Sequence, residues 1–435
     1  MLLANAAKKS HAEVSYRNLN PEERKLFDVA KKKELTCWLD TNTVKAILRS
    51  RVHPDRIMGS RWVLTWKTCD ISSSGYKAKA RLVVKGFQDP EVGQVQTDSP
   101  TLSRDARMLL LQTVASKQWT LQNFDIKTAF LRGKGDGREL AMQPVPELKE
   151  LMGLKEDEVC LLEGNAYGRV DAPLLFYKEL RLQLEKLNFE CHPLDNCLFL
   201  LRNPQNPKQL DGILGTHVDD GIGGGNARYD YALEQLQKVL PFGSRDYGRF
   251  RFTGLDMEQL PDFSIRISQE EYIHKIQPID VPKARRAQKD ALATAMEIQS
   301  LRALCGSLQY AAVHSRPDIA TKVAYLQKSI PNAKVSDLME GNKVLKESKE
   351  FAMTSLMIRP LPFQELTFAS FGDASFASES NLKAQQGLFI MACLPKLALN
   401  QTSDFSPIAW STKQIGRVVR STLSAEAYSD VLICR

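Results

Sequence analysis

Apolar and long basic side chains alternate over two neighbouring stretches, RWVLTWKT at 61–68 and KARLVVKGF at 79–87. A period of two predicts a pair of half-buried strands. The turn-rich ISSSG at 71–75 lies between them, so the pair reads as a hairpin. SRDARMLLLQTVASKQW (103–119) predicts a helix with Ser103 as its N-cap. TLQNFDIKTAF (120–130) reads as a strand entering a turn at Gly133. FYKELRLQLEKLNF (176–189) has apolar residues at three-to-four spacing, the mark of an amphipathic helix. DNCLFLLRN (195–203) and GILGTHVDDGIGGG (212–225) read as the two strands of one hairpin, and ARYDYALEQLQKVL (227–240) as a helix. Residues 1–55 look helical and polar, with PEERKLFDVAKKKELTCWLD (21–40) as one amphipathic stretch. The segment 280–350 is mostly helical and charged. After RPLPFQ, three strand-like runs (LTFASFGDAS, GLFIMAC, SPIAWST) precede the helical STLSAEAYSDVLICR.

The length of 435 residues suits two to three domains, and 43% hydrophobic with 25% charged residues is ordinary for a globular chain. No apolar run approaches the roughly 18 residues of a membrane span, so a transmembrane protein is excluded. The first residues lack an apolar core of signal-peptide length. The expectation is an intracellular protein, cytoplasmic or nuclear, with no targeting signal and no membrane partner. Eight cysteines without a C-x-x-C pair, beside six histidines, argue against a zinc module and for reduced thiols.

The net charge of +8 is unevenly spread. Lys45 to Lys85 holds ten basic residues against Asp55 and Asp70. Such a cluster suits a polyanion, whether nucleic acid, triphosphate or acidic membrane. On charge alone it reads equally as a solvated face.

HVDD (217–220) sets two adjacent carboxylates in a tight turn between apolar strands. Alone this is a common hairpin composition. Asp125, in NFDIKTAF, is an acid at the end of another apolar strand. If the strands are neighbours, Asp125 and Asp219 converge at one sheet edge. Converging carboxylates repel unless cations lie between them. Mg²⁺ prefers a few carboxylates plus phosphate oxygens, and two such ions can drive an in-line phosphoryl displacement. With an upstream basic finger to hold a triphosphate, these parts describe a nucleotidyltransferase.

The same residues lie in a longer series: YKAKARLVVKGFQ, LQNFDIKTAFLRG, AYGRVDAP with FYKEL, DNCLFLL, THVDDGIGGG, YGRFRFTGLDM, ISQEEYI, CGSLQYAAVHSRPDIA, FGDASFAS and PIAWSTKQIGRVVRSTLSAEAY. Together they resemble the reverse transcriptase region of a copia-type LTR retrotransposon, continuing into the start of its RNase H, over roughly residues 55–330 and 365–435. The resemblance implies a mixed α/β right-hand polymerase. Its fingers and palm form an antiparallel sheet backed by helices, followed by a helical thumb and a partial RNase H-like domain. The corresponding division is 1–55 as a helical lead-in, 56–255 as fingers and palm, 256–350 as thumb and connection, and 360–435 as the RNase H-like unit. It implies RNA-directed DNA polymerase activity with two Mg²⁺ (or Mn²⁺) ions. The implied partners are an RNA template, a DNA or RNA primer, dNTPs and other parts of a Pol polyprotein.

Residue by residue, Asp125 matches the first palm aspartate, and Asp219 and Asp220 match the Y-x-D-D pair. In that family the first aspartate and the first of the pair bind metal most directly. Lys79, Arg81 and Lys85 match the basic finger strand, where Arg81 and one lysine would meet the triphosphate. Phe130 matches the bulky residue that stacks under the sugar and blocks a 2′-hydroxyl; on its own it reads as a core aromatic. Tyr167 and Gly168 match the turn supporting the template base and nucleotide pocket. Asp373 and Glu426 match the first two RNase H acids. The third and fourth would lie past Arg435, so nuclease activity is expected to be absent.

Two departures stand out. His217 replaces the usual Tyr or Phe and alters contact with the primer terminus. RVDAP at 169–173 stands where L-K-Q-A/S-P is usual, so Asp171 adds a negative charge near the expected nucleic-acid path and bears on processivity. A decayed or host-retained copy that binds nucleic acid without catalysis is the alternative reading.

Overall fold

The computed structural model describes residues 13–68, 76–376 and 384–433. The ISSSG link lies outside the described residues, as do Cys69, Asp70 and Cys434. The chain forms two compact units, each built from three stretches. The first comprises Met1–Thr101, Ile126–Cys191 and Ala232–Gly243; the second comprises Leu102–Asp125, His192–Tyr231 and Ser244–Arg435.

The first unit begins with the helix Pro21–Asp40. Asn20 and Glu23 form a reciprocal capping box, and Pro21 supplies a pre-set first turn. The helix buries Phe27, Leu35 and Trp38 and packs on the strand Tyr76–Val84. That strand pairs antiparallel with Ser60–Thr68, as the alternation predicts. Ala80, Leu82 and Val84 point inward. The odd-numbered positions face the other way, and directly opposed residues share a face. Thr65 lies opposite Lys79, Val63 opposite Arg81 and Lys67 opposite Lys77, so the alternation gathers the cations on one side.

The first unit also differs from the expected helical lead-in. Val44–Leu48 is a strand, and it pairs antiparallel with Glu158–Leu162 in a four-stranded sheet completed by Ala141–Met142 and Ile57–Met58.

The centre of the second unit is four adjacent antiparallel strands, in the order Gln122–Ile126, Asp220–Gly225, Leu210–His217 and Asp195–Arg202. GILGTHVDDGIGGG is thus a complete hairpin by itself. The helix Arg104–Ser116 covers the sheet, and the Ser103 side chain caps it by accepting from the Ala106 amide. The glycines of this hairpin are packing residues. A Cβ at Gly212 or Gly225 would overlap the wholly buried Tyr229 ring, and one at Gly221 would overlap Phe124.

Beyond this sheet, a small sheet (Arg249–Phe252, Leu255–Gln259, Ile265–Ser268, Leu356–Ile358) leads to the helices Ala295–His314, Ala320–Ser329 and Val335–Glu350. Their apolar faces form one core through Leu301, Leu308, Val323, Leu338 and Leu345. The last sheet, Thr367–Ser375, Gln385–Cys393 and Phe405–Gln414, carries the helix Thr422–Ile433. It is tied to the rest of its unit. The Trp410 indole donates to the Ala312 carbonyl (2.8 Å), and Arg104 donates to the Trp410 carbonyl (3.1 Å). Among the described residues, no cysteine is in a disulfide.

Candidate active site

Asp125 and Asp220 are direct partners in the antiparallel pairing of Gln122–Ile126 with Asp220–Gly225. Directly opposed residues stand about 4.5–5.5 Å apart at Cα and share a face. The neighbouring strand adds His217, which pairs with Asp220 across the hairpin end. His217, Asp220 and Asp125 therefore form a row over three strands, all three half-buried. Asp219 is one residue from Asp220, so its Cα lies within about 9 Å of that of Asp125.

The turn holding Asp219 has two central residues, Val218 and Asp219. Val218 has a φ of 59°. A positive φ at the first central position alone is the pattern of a II′ hairpin turn, where glycine is usual. A β-branched residue there is strained, on the order of 1–3 kcal/mol. The strain sits one residue before an acid of the site.

His217 packs edge-on to Phe252, with ring centroids 6.4 Å apart. Burial lowers its pKa, the Arg107 charge lowers it further, and Asp219 opposes both. The shift favours the neutral imidazole over a cation beside the acids. Arg107 itself is 5% exposed. It donates to His314 Nδ1 (3.0 Å) and lies 3.4 Å from Thr253 Oγ1, and burial brings its pKa down to about 10. Sequence reading missed Arg107, although an ionisable residue amid the apolar run ARMLLL was a visible signal.

The basic strand and the residues expected at the nucleotide pocket belong to the other unit. Arg81 is exposed, and Lys79 and Lys85 are half-buried. Glu34, on the packing helix, accepts from the Leu82 amide (3.3 Å) and the Trp38 indole (3.2 Å). Burial raises its pKa, while those hydrogen bonds and the charges of Arg81 and Lys79 pull it down. Phe130 lies on the short 3₁₀ helix Ala129–Arg132. Its ring meets Tyr167 edge-on at 5.5 Å and Phe176 at 6.3 Å. The Val84 amide donates to the Tyr167 carbonyl (2.8 Å), and the Gly86 amide to the Gly168 carbonyl (3.1 Å). Gly168 has a φ of 91°, and a Cβ there would collide with the Val84 carbonyl. Lys85, Phe130, Tyr167 and Gly168 are thus brought together within this unit.

Asp171 departs from its expected role. It is 3% exposed and lies in an ion network with Arg138 and Arg169. Its charge is matched internally, so it does not face a passing phosphate chain. The spacing of Arg169 and Asp171 was legible; Arg138, 31 residues upstream of Arg169, was not.

Asp373 is exposed on the strand Thr367–Ser375 and Glu426 is half-buried on the helix Thr422–Ile433. The Ser429 hydroxyl is 3.2 Å from the carbonyl oxygens of Asp373 and Gly387. Glu426 precedes Ser429 by one helical turn and shares its face, which places it toward the strand of Asp373.

Among the described residues, no group of three or more His, Cys, Asp or Glu side chains is gathered tightly enough to enclose a metal ion. Hard carboxylate oxygens on adjacent strands still fit Mg²⁺, which takes one or two protein carboxylates and completes its shell with water and substrate phosphates. Asp125, Asp219 and Asp220 would supply the protein share.

The family described as reverse transcriptase (RNA-dependent DNA polymerase) matches residues 47–290. The chain is 26% identical over 386 residues to the retrovirus-related Pol polyprotein from transposon RE1 of Arabidopsis thaliana, covering 85% of the chain and 25% of that protein. It is 28% identical over 298 residues to the Pol polyprotein from transposon TNT 1-94 of Nicotiana tabacum, covering 64% of the chain and 22% of that protein. The chain thus spans about a quarter of these relatives. In fold it is similar to a foamy viral protease-reverse transcriptase solved with double-stranded DNA, with a TM-score of 0.51 at 11% identity, covering 99% of the chain and 63% of that structure. The mixed helix-and-strand architecture is that of a reverse transcriptase. No helix among the described residues is long and apolar enough to cross a membrane.

Proposed function

The chain belongs to the reverse transcriptase (RNA-dependent DNA polymerase) family, and from that premise we propose that it is the polymerase portion of a copia-type retrotransposon Pol polyprotein. It extends a DNA or RNA primer along an RNA template with dNTPs. The observation that carries this reading is the register of Asp125 against Asp220, with Asp219 in the adjoining turn.

Two bound Mg²⁺ (or Mn²⁺) ions would activate the primer 3′-hydroxyl and offset charge on the leaving oxygen. Asp125 and Asp219 would hold them most directly, and Asp220 shares the row. His217, whose burial disfavours the charged form, lies beside the acids. Lys79, Arg81 and Lys85 bind the triphosphate; the planar Arg81 fork suits paired phosphate oxygens. Phe130, steadied by Tyr167 and Phe176, excludes a 2′-hydroxyl from the sugar site. Tyr167 and Gly168 hold the turn under the nascent pair.

The same reading divides the chain into a lead-in (1–55), fingers and palm (56–255), thumb and connection (256–350) and an RNase H-like segment (360–435) that carries Asp373 and Glu426. The test is primer extension on an RNA template with dNTPs and Mg²⁺ or Mn²⁺. The non-catalytic alternative predicts salt-dependent nucleic-acid binding through the cationic strand pair, with no extension under either metal.

A further inference from the structure

We propose that Arg138 is a positioning residue for the nucleotide pocket, clamping together the two backbone segments that carry Lys85 and Tyr167–Gly168. The proposal rests on the polymerase reading above for its substrate, and on geometry for the clamp.

The two segments meet through a short backbone contact. Val84 donates to Tyr167 and Gly86 donates to Gly168. Both glycines are obligatory, because a Cβ on Gly86 would strike the Gly168 carbonyl and one on Gly168 would strike that of Val84. The basic strand ends at Val84; past it the Lys85 amide donates to the Gly59 carbonyl (2.8 Å), and on the other side the Val84 and Gly86 amides tie the segment to Tyr167 and Gly168.

Three residues beyond Gly86 is Asp89, and three beyond Gly168 is Asp171. Arg138 takes both. Its Nη1 donates to Asp89 (2.8 Å), its Nη2 to Asp171 (2.5 Å) and its Nε to Asp136 (2.6 Å). Arg169 closes the ring with two bonds to Asp171 and one to Asp136. The Asp89 and Asp171 side chains are 2% and 4% exposed. Burial alone would raise the Asp136 carboxyl, but hydrogen bonds from Arg138 and Arg169 outweigh it and hold the group below the usual range.

A planar guanidinium is required, because four carboxylates in different directions, Asp89, Asp136, Asp171 and (at 3.4 Å) Glu91, use its fixed fork; a lysine ammonium cannot span them equally. Arg138 also lies six residues after Arg132, the last residue of the 3₁₀ helix bearing Phe130. One side chain therefore couples the three segments that carry Lys85, Phe130 and Tyr167. Asp171 is the acceptor that lets Arg138 and Arg169 share a site.

The experiment compares the full chain with Arg138→Lys and Asp171→Asn. Amide hydrogen exchange is read at Val84 and Gly86, and primer extension gives KM for dNTP, kcat and the dNTP-to-NTP selectivity ratio. The ratio does not depend on the fraction of folded enzyme, so simple destabilisation cannot move it. The clamp predicts at least tenfold faster exchange at Val84 and Gly86, with amides of Leu210–His217 unchanged. It also predicts a KM for dNTP raised at least tenfold, a lowered selectivity ratio and unchanged primer–template affinity. Unchanged exchange overturns the proposal, as does faster exchange with KM and selectivity unaltered. If Arg138→Lys does not fold, the near-isosteric Asp171→Asn decides by the same criteria. If the wild-type chain extends no primer, the polymerase reading fails separately, and the exchange rates alone decide the clamp.

Discussion

Asp125 and Asp220 face each other across an antiparallel strand pair, two like charges in direct register. Opposed like charges destabilise a sheet. Their retention side by side makes sense if a cation joins them in the working protein. Without divalent metal, Asp220→Asn is then expected to be more stable than wild type by about 0.2–1 kcal/mol. Denaturant melts in chelator and in excess Mg²⁺ check this, and the advantage should shrink when the metal is present.

Tyr229 fills the space left by glycines at 212 and 225. Gly212→Ala forces a methyl against the ring and should cost about 1–3 kcal/mol. Tyr229→Leu in the same chain should recover part of that loss, since the aromatic ring is the obstacle. A double-mutant cycle read by urea denaturation measures the coupling.

Burial lowers His314 from its ordinary value of 6.5 to about 4, with Arg107 and Arg104 reinforcing the shift. Arg107 donates to its Nδ1, which must therefore be unprotonated. Between pH 6.5 and 4 the unfolded chain binds a proton that the folded chain refuses, so stability falls as pH drops through this window. The contribution is on the order of 2–3 kcal/mol, discounted for the partial exposure of the ring. His314→Gln should flatten the pH dependence of the unfolding free energy over that range.

Phe130 is half-buried and held edge-on by Tyr167 and Phe176. On the proposed polymerase reading, Phe130→Ala removes the bulk that would exclude a 2′-hydroxyl. NTP incorporation relative to dNTP should rise by roughly tenfold or more. Single-nucleotide extension with matched dNTP and NTP series measures the ratio.

Much of this architecture was legible locally. The alternation around Lys79 and Arg81 sufficed for the hairpin, and Ser103 marked its helix start, because strand period and capping are short-range effects. The acids of the site were legible as acids at strand ends; which strands adjoin was not, because pairing is set by packing between distant segments. The GIGGG run was legible as part of a hairpin strand, but its glycines answer to Tyr229 and Phe124, whose positions depend on tertiary packing. Asp171 was misplaced for the same reason. A single charge looks solvent-facing until its partners are known, and Arg138 reaches it from a different segment. Strand Val44–Leu48 escaped because its partner, Glu158–Leu162, lies over a hundred residues away.

The most direct measurement is templated primer extension with dNTPs and Mg²⁺ by the purified chain, by Asp125→Asn and by Asp219→Asn, on an RNA template. Wild type should extend the primer, and both variants should fall to background while still folding and binding the duplex. Extension that persists in Asp219→Asn would contradict the metal-binding role of the carboxylate row.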